Sequence, residues 1–425
     1  MTARTRTDAL EQLSEITGGH ARAAQDADWI DSVDGMPVRW VASPSDTMQT
    51  SAVLRFASQE GITVVPRGTG SKLRWGARPE RCDLVLDTTR LDGLVEHAAG
   101  DLVVVAGAGR RIADLQVDLA AAGQWLAVDP PRAGTLGGLV ATASTGPTRF
   151  LHGAVRDLLI GSTMVRADGV VAKSGGKVVK NVAGYDIGKV LTGSFGTLGV
   201  ITQVAFRLHP RPVARSWVTV PVGSPQEVND LLQRVVHSHL VPSGVELDQP
   251  ATSEAHLAVL LEGFGPGVAA RTEAAMSLLG PRTVVTAEPP QWWGAEPGGN
   301  WADPPEDAAL FKVTHEIACV GTVLEAVAAA ASAGATRVHV RGSVGLGSLY
   351  VAVEGGTTGI PELVGSLRGR ARSFGGAVVV LEAAAKVKDQ VDVWGPVEGL
   401  TLMRSLKQQF DPGRLLSPGR FVGGI

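Results

Sequence analysis

The chain has 425 residues, 44% of them apolar and 19% charged, with a formal net charge of −3. That length allows two or three domains with sizeable cores, and the charge excludes an electrostatic footprint for nucleic acid. Two cysteines, Cys82 and Cys319, with no Cys or His at ligand spacing, exclude an iron–sulfur cluster or zinc ribbon in this chain and fit a reducing compartment. No metal site is expected. The opening stretch MTARTRTDALEQLSEITGG lacks the apolar core of a secretory signal. No run reaches the ~18 apolar residues of a membrane span, so a cytoplasmic location is expected. Glycine, 53 residues in all, exceeds its average usage of ~7% and gathers in short clusters between strands, as tight turns and ligand loops do.

In chain order, residues 43–61 predict a helix capped by Ser43, with Pro44 in its first turn, Met48, Ala52 and Phe56 on one face, and Gly61 as its stop. ITVVP at 62–66 predicts a buried strand running into the loop RGTGSKLRWG at 67–76. DLVLD (83–87) and DLVVVA (101–106) predict strands, and 110–123 a helix ended by Gly123. Residues 124–146 read as a loop of small residues with a short helix near Gly137. LLIGSTMVRADGVVAKSGG predicts a hairpin turning at Asp168-Gly169. The 200–208 stretch predicts a strand with Val200, Thr202, Val204, Phe206 and Leu208 on one face. HPRPVAR at 209–215 marks a boundary. Beyond it, alternating strands and helices with two strand–turn–strand units predict an antiparallel sheet carrying helices, interrupted by a Pro/Gly/Trp loop over 288–307. The last stretch, from Leu400, reads as helix, turn and extended tail.

Three glycine clusters compete for a ligand. LVVVAGAGRRIADL has Gly107 and Gly109 in the first two places of a dinucleotide-binding turn, and Asp129 lies about 20 residues on. Ile112 occupies the third place, where a branched side chain blocks close helix–strand packing. A plain strand-to-helix turn is the better reading. Pro66-Arg67-Gly68-Thr69-Gly70-Ser71 follows a strand, and no regular helix follows it. Successive small residues there let several N–H groups share one concavity suited to diphosphate oxygens. Gly134-Thr135-Leu136-Gly137-Gly138, with Ala141, Ala143, Ser144, Thr145 and Gly146, is small nearly throughout. Such a surface suits a flat ligand or tight packing between two sheets.

The order PRGTGS, DPPRAGTLGGLVATASTG, VRDLLIGSTMVRADG, GYDIGKVLTGSFGTLGVITQVAFRLHP and FDPGRLLSPGRF resembles the FAD-binding domain of the vanillyl-alcohol oxidase/p-cresol methylhydroxylase (PCMH) family. Within it, the GGKVVKNVAGYDIGKVLTGSFGTLGVIT block looks most like the FAD-binding subunits of bacterial glycolate oxidases. The resemblance implies an α+β fold: a PCMH-type FAD-binding domain of two α+β subdomains, then an α+β cap with an antiparallel sheet, then a C-terminal segment returning to the FAD domain. The implied limits are an N-terminal segment 1–33, the FAD-binding domain 34–213, the cap 214–400 and the returning segment 401–425. It implies that residues Pro66 to Ser71 hold the FAD pyrophosphate. Residues Gly134 to Gly146 would wrap the diphosphate, ribitol and part of the isoalloxazine, with Gly134, Thr135, Leu136, Gly137, Gly138, Ala141, Thr145 and Gly146 in contact. Gly199, Val200 and Ile201 would approach the adenine or ribityl side, Asp129 and Pro130 would shape the mouth of the second loop, and Arg156 and Asp157 would brace the hairpin. Gly175 and Gly176 would bend the hairpin exit, Gly193 and Gly196 would end a short helix, and Lys177 and Lys180 would face the cofactor or a partner.

Three departures from the family pattern matter. Ser71-Lys72 stands where some relatives tether FAD through histidine, so FAD is expected to be non-covalent. Phe195 replaces a common glutamate, and Ser417 replaces an asparagine in the tail. The catalytic residues are unknown: HVRGSVGLGSLYV offers His339 and Arg341 without the second His and acid of hydroxy-acid-oxidising relatives. A solvated strand face suits His339, Arg341 and Ser343 better than an active site. His315 and Glu316 are weaker candidates, and Trp292, Trp293 and Trp301 suit a partner surface or local packing. A good FAD site beside a poor catalytic constellation implies an FAD-binding subunit of a glycolate-oxidase-like 2-hydroxyacid dehydrogenase complex. Its partners would be a sister FAD-binding catalytic subunit and an iron–sulfur subunit, with peripheral membrane attachment only through them. The alternatives are a stand-alone FAD-dependent dehydrogenase or oxidase of a small hydroxy acid or alcohol, and a non-catalytic assembly scaffold.

Overall fold

The computed structural model describes residues 6–25, 31–176, 186–298, 304–334, 336–357 and 359–425. Lys177, Lys180 and Trp301, singled out above, lie outside them. Three sheets organise the chain. In the first, Trp40–Ala42, Leu84–Asp87 and Val64–Arg67 pair in parallel, with Ala21–Ala23 antiparallel at the edge. Helix Thr47–Glu60 buries Val53, Leu54, Phe56 and Ala57 against it. The second sheet is a five-stranded antiparallel one, ordered Val171–Gly175, Leu159–Val165, Val200–Arg207, Val103–Gly107, Leu94–Ala98. The hairpin turning at Asp168-Gly169 is its edge pair.

The third sheet has eight strands, all antiparallel, and begins at Ala214. Alternation gives it two distinct faces. Val218, Val220, Val245, Leu247, Val259, Phe311, Val340, Leu349 and Val351 form one continuous core with helices Pro225–Val236, Gly265–Leu279, Val320–Gly334 and Ile360–Arg370. The opposite face carries Arg215, Glu246, Asp248, Glu262, Lys312, His339, Arg341, Ser343 and Tyr350, and turns toward the other two sheets. The stretch Ile317–Gly334 is long and apolar enough to cross a membrane by composition, yet its Val320, Val323, Leu324 and Val327 are core residues under this sheet.

The first predicted helix starts later than its sequence suggests. Asp46, not Ser43, is the N-cap, accepting from Gln49 N at 2.8 Å. Aspartate caps as well as serine, and starting at Thr47 turns Met48 outward, 70% exposed. Gly61 closes the helix at φ +66°. Asp157 caps its own short helix, accepting from Ala154 N at 2.9 Å, rather than bracing the hairpin.

Buried ion pairs tie the distant parts together. Lys388, after the last strand of the large sheet, meets Asp34 at 2.7 Å, both side chains 1% exposed. It also donates to the carbonyls of Arg74 and Gly76. Lys407 meets Asp411 at 2.6 Å and donates to Thr197 O and Leu416 O, and Ser417 N donates to Val64 O at 2.9 Å. The tail is therefore sewn onto the first sheet.

Removing one partner of such a pair leaves an uncompensated buried charge. Asp34→Ala should cost about 3–5 kcal/mol of stability in urea unfolding. Glu246 tests pH linkage. It is 3% exposed, accepts from the Ser343 hydroxyl, and loss of solvent pushes its carboxyl up to about 8. The folded protein then keeps a proton that the unfolded chain releases near pH 4.5. Stability must fall as pH rises from there through 8. Relative to Glu246→Gln, wild type should lose stability across this window, by at most about 1.4 kcal/mol per pH unit, in urea unfolding at successive pH values.

Candidate cofactor site

Two backbones that approach very closely build the site. Strand Val64–Arg67 ends in the loop 67–73, and helix Leu136–Thr142 starts from Thr135, whose Oγ1 accepts from Gly138 N at 3.2 Å. A Cβ on Gly68 would lie 2.2 Å from Thr135 Oγ1, and one on Gly134 would lie 3.1 Å from Ser71 Oγ. At these two points the loops touch with no room for a further side chain. The second loop is held from behind: Gly137 N donates to Ala108 O at 2.7 Å, Leu136 N to Arg110 O at 3.0 Å, and Ile112 N to Gly134 O at 3.0 Å. The GAGRR turn is thus no dinucleotide site. Its strand lies in an antiparallel sheet, and Cβ atoms on Gly107 and Gly109 would strike Leu91 O and Thr88 O at 2.0 and 1.9 Å. It is the anchor on which the second loop sits.

Between the loops lies a narrow cavity of about 100 Å³, lined by Pro66 to Leu73, by Gly134, Thr135, Gly137, Gly138, Ala141 and Thr142, by Phe195, Gly196 and Gly199 to Ile201, and by Arg420. Past residues 67–73 it adjoins a cleft of about 1050 Å³. The three predicted segments therefore converge on one cavity. Among the described residues, the N–H groups of Gly68, Thr69, Gly70 and Ser71 make no hydrogen bond within the protein. Free amides, loops packed too closely to admit a Cβ at Gly68, and nearby cations together fit a dinucleotide diphosphate. Lys72, 8% exposed, lines the cavity and donates to Arg132 O at 3.0 Å; burial lowers its pKa to about 8. Arg67 is paired with Asp87 at 3.0 Å.

Four predicted residues stand elsewhere, and Pro130 also lies outside the cavity lining. Leu136 is fully buried in the core beneath the second loop. Asp129 accepts from Thr148 Oγ1 at 2.6 Å and packs on Gly146, pinning the loop's far end; desolvation raises its pKa to about 7. Thr145 and Gly146 line a second, small pocket with Pro131, Glu246, Ser343 and Tyr350. The glycines of the 175–200 block behave as turns: Gly175, Gly193 and Gly196 have φ of +72°, +81° and +72°. Ser417 adopts φ +44°, a conformation asparagine tolerates better, and its Oγ is buried without a partner.

The polar face of the large sheet lines the small pocket through Glu246, Ser343 and Tyr350, and Glu382 lines the wide cleft. Arg132, over the Trp75 ring at 5.8 Å, reaches Glu382 at 2.5 Å and Glu296 at 2.6 Å. Asp248 accepts from His339 at 2.6 Å and from Arg341 at 2.7 Å. His339 and Arg341 are thus half-buried partners of one carboxylate, not a solvated strand face. His315 is 7% exposed and its Nδ1 contacts Glu316 O at 2.8 Å; neither residue lines these cavities. Trp293 packs on Trp217 and Trp292, the local packing anticipated for that loop. Sequence reasoning missed Arg132, Glu246, Glu296, Glu382 and Arg420, whose partners are remote in sequence.

Residues 38–175 match the FAD binding domain family. The chain is 28% identical over 253 residues to glycolate oxidase subunit GlcD of Bacillus subtilis, covering 57% of this chain and 54% of the relative. It is 38% identical over 161 residues to glycolate oxidase subunit GlcE of Escherichia coli, covering 37% of this chain and 45% of that one. The chain thus spans about half the length of these curated relatives. Its fold is similar to that of p-cresol methylhydroxylase, with a TM-score of 0.76 at 14% identity over 97% of this chain and 96% of that one. The chain therefore has the PCMH-type α+β fold, with an FAD binding domain match across the first two of the segments that line the cavity.

Proposed function

We propose that this chain is an FAD-binding subunit of a 2-hydroxyacid dehydrogenase system of the glycolate oxidase type. The observation that carries this reading is the convergence of 66–73, 134–142 and 195–201, remote in sequence, on one cavity with free backbone amides. Gly68, Thr69, Gly70 and Ser71 would hold the diphosphate through those amides, with Gly134, Gly137, Gly138 and Ala141 opposite. Among the described residues, no histidine, cysteine or tyrosine lines this cavity or the adjoining cleft, which supports non-covalent FAD. Bound FAD would supply the two-electron acceptor for oxidation of an alcohol to a carbonyl.

Among the described residues, no histidine lines the pocket beside Thr145 and Gly146, and burial pushes its carboxyl, Glu246, up to about 8, toward the protonated form. A group able to take the hydroxyl proton at once is thus missing from the lining, which supports the accessory role. A sister FAD-binding subunit would carry the hydroxy-acid site and an iron–sulfur subunit would accept electrons, in the cytoplasm or at the membrane face. A stand-alone hydroxy-acid dehydrogenase is the second reading. Lys312 and Arg149 support it: neither has an ion-pair or hydrogen-bond partner among the described residues, and Lys312 shares a sheet face with Tyr350. Unpaired cations on that face suit a substrate carboxylate.

The purified chain should be yellow and release FAD on heating or acid treatment. Gly137→Val should be folded by circular dichroism but retain no flavin, because a side chain there meets Ala108 at 2.9 Å. Flavin retained at wild-type affinity sinks the site. Anaerobic glycolate or D-lactate should leave the flavin absorbance of the isolated chain intact. Bleaching would favour the stand-alone reading, in which Lys312→Met should raise KM about tenfold or more, as expected for a lost charged hydrogen bond.

A further inference from the structure

We propose that Arg420, in the C-terminal tail, is a ligand for the diphosphate of the dinucleotide; this rests on the FAD reading above. Arg420 lines the same narrow cavity as the 66–73 loop, although some 350 residues separate them. It is 4% exposed. Its Nη2 donates to the carbonyls of Leu73 at 2.5 Å and Trp75 at 2.7 Å, while Nε is buried with no hydrogen-bond partner. No carboxylate pairs with it among the described residues. Asp34 is the nearest acid to influence it, and Asp34 already meets Lys388 at 2.7 Å and Arg74 at 3.7 Å.

A guanidinium does not lose its proton on burial, so an unpaired one calls for an anion from outside the chain. Its neighbour on the cavity wall, Phe195, offers none. Lys72 adds a second cation without a carboxylate in hydrogen-bonding contact, and the amides of residues 68–71 add uncharged donors. Two cations and a row of free N–H groups around one narrow space match the charge and acceptor-only chemistry of a diphosphate. The backbone of Arg420 is fixed to serve this role. Trp394 Nε1 donates to its carbonyl at 3.1 Å, and that carbonyl lies where a Cβ on Gly76 would be, at 2.9 Å.

The test uses the full chain freed of flavin and titrated with FAD and with riboflavin, which has no phosphate. Arg420→Met should weaken FAD about 10- to 100-fold, as expected for a charge-assisted contact, and leave riboflavin within about 2-fold. Arg420→Lys should recover part of the loss. Equal weakening of both ligands would mean that Arg420 only shapes the loop through Leu73 and Trp75, and would overturn the proposal, as would no weakening. A wild-type chain that binds neither flavin overturns the FAD reading itself. Should Arg420→Met not fold, hydrogen exchange on wild type decides. FAD should protect amides 418–422 beyond the protection riboflavin gives, and equal protection overturns the assignment.

Discussion

How closely two backbones can approach sets the geometry of the whole site. Gly68 sits where a single methyl would collide with Thr135, and Gly137 where one would press on Ala108. Gly107 and Gly109 in turn lie against the carbonyls of Leu91 and Thr88. These contacts form a chain, from the 88–91 turn through the 107–112 turn to the second loop and then the first. Each link lacks a side chain because its neighbour occupies the place, by main chain at Leu91 and Thr88 and first by side chain at Thr135 and Ala108. The entropy that glycine costs in the unfolded state is offset by a cavity whose walls are main chain. Main-chain donors suit a diphosphate because they need no rotamer ordering on binding.

Charge follows a second rule. Along the seam between the large sheet and the rest, charges are satisfied in pairs or triads: Arg132 with Glu296 and Glu382, Asp248 with His339 and Arg341, Arg215 with Glu262. Such networks specify how the sheet docks, since a misplaced docking would strand several charges in the dry seam. Three of the exceptions line cavities. Among the described residues, Lys72 and Arg420 line the narrow cavity with no carboxylate in contact, Glu246 lines the small pocket with its carboxyl pushed up to about 8, and the Lys312 and Arg149 side chains have no partner. Perturbed or unpaired groups gathering in concave sites are what a ligand-binding surface requires.

Much of this was legible in the sequence, for definable reasons. Strands and helices with clean periodicity, such as Val200–Arg207 and Pro225–Val236, occur where alternation and capping residues placed them. The loops at 66–71, 134–138 and 199–201 stood out because small residues in a run have few other uses. Leu136 was misplaced because ligand-loop reasoning ignored that a short helix must bury one side, and Leu136, Leu139 and Val140 are that side. Thr145 and Gly146 fall in a different pocket because the helix ends at Ala143 with φ +48°, redirecting the chain. Arg132 and its acids were illegible: its partners stand 164 and 250 positions away, and no local pattern announces them. The acids of the polar sheet face were hidden similarly, since alternation marks a polar face without saying whether water or protein covers it.

The tail joins these strands of argument. Helix Leu400–Phe410 carries Lys407, which binds Thr197 O in the third cavity segment and Leu416 O in the tail's own turn. Leu416 then bridges to Val64 beside the first loop. Phe195, Trp394 and Phe421 form one aromatic cluster across the third segment, the end of the large sheet and the tail. A cavity wall contributed by the chain's last residues closes only after contacts of very large sequence separation have formed, which is the slowest class of contact to assemble. A ligand held partly by that wall must stabilise the docked tail over the undocked one, by linkage. Cofactor occupancy and docking of the tail would then be thermodynamically linked.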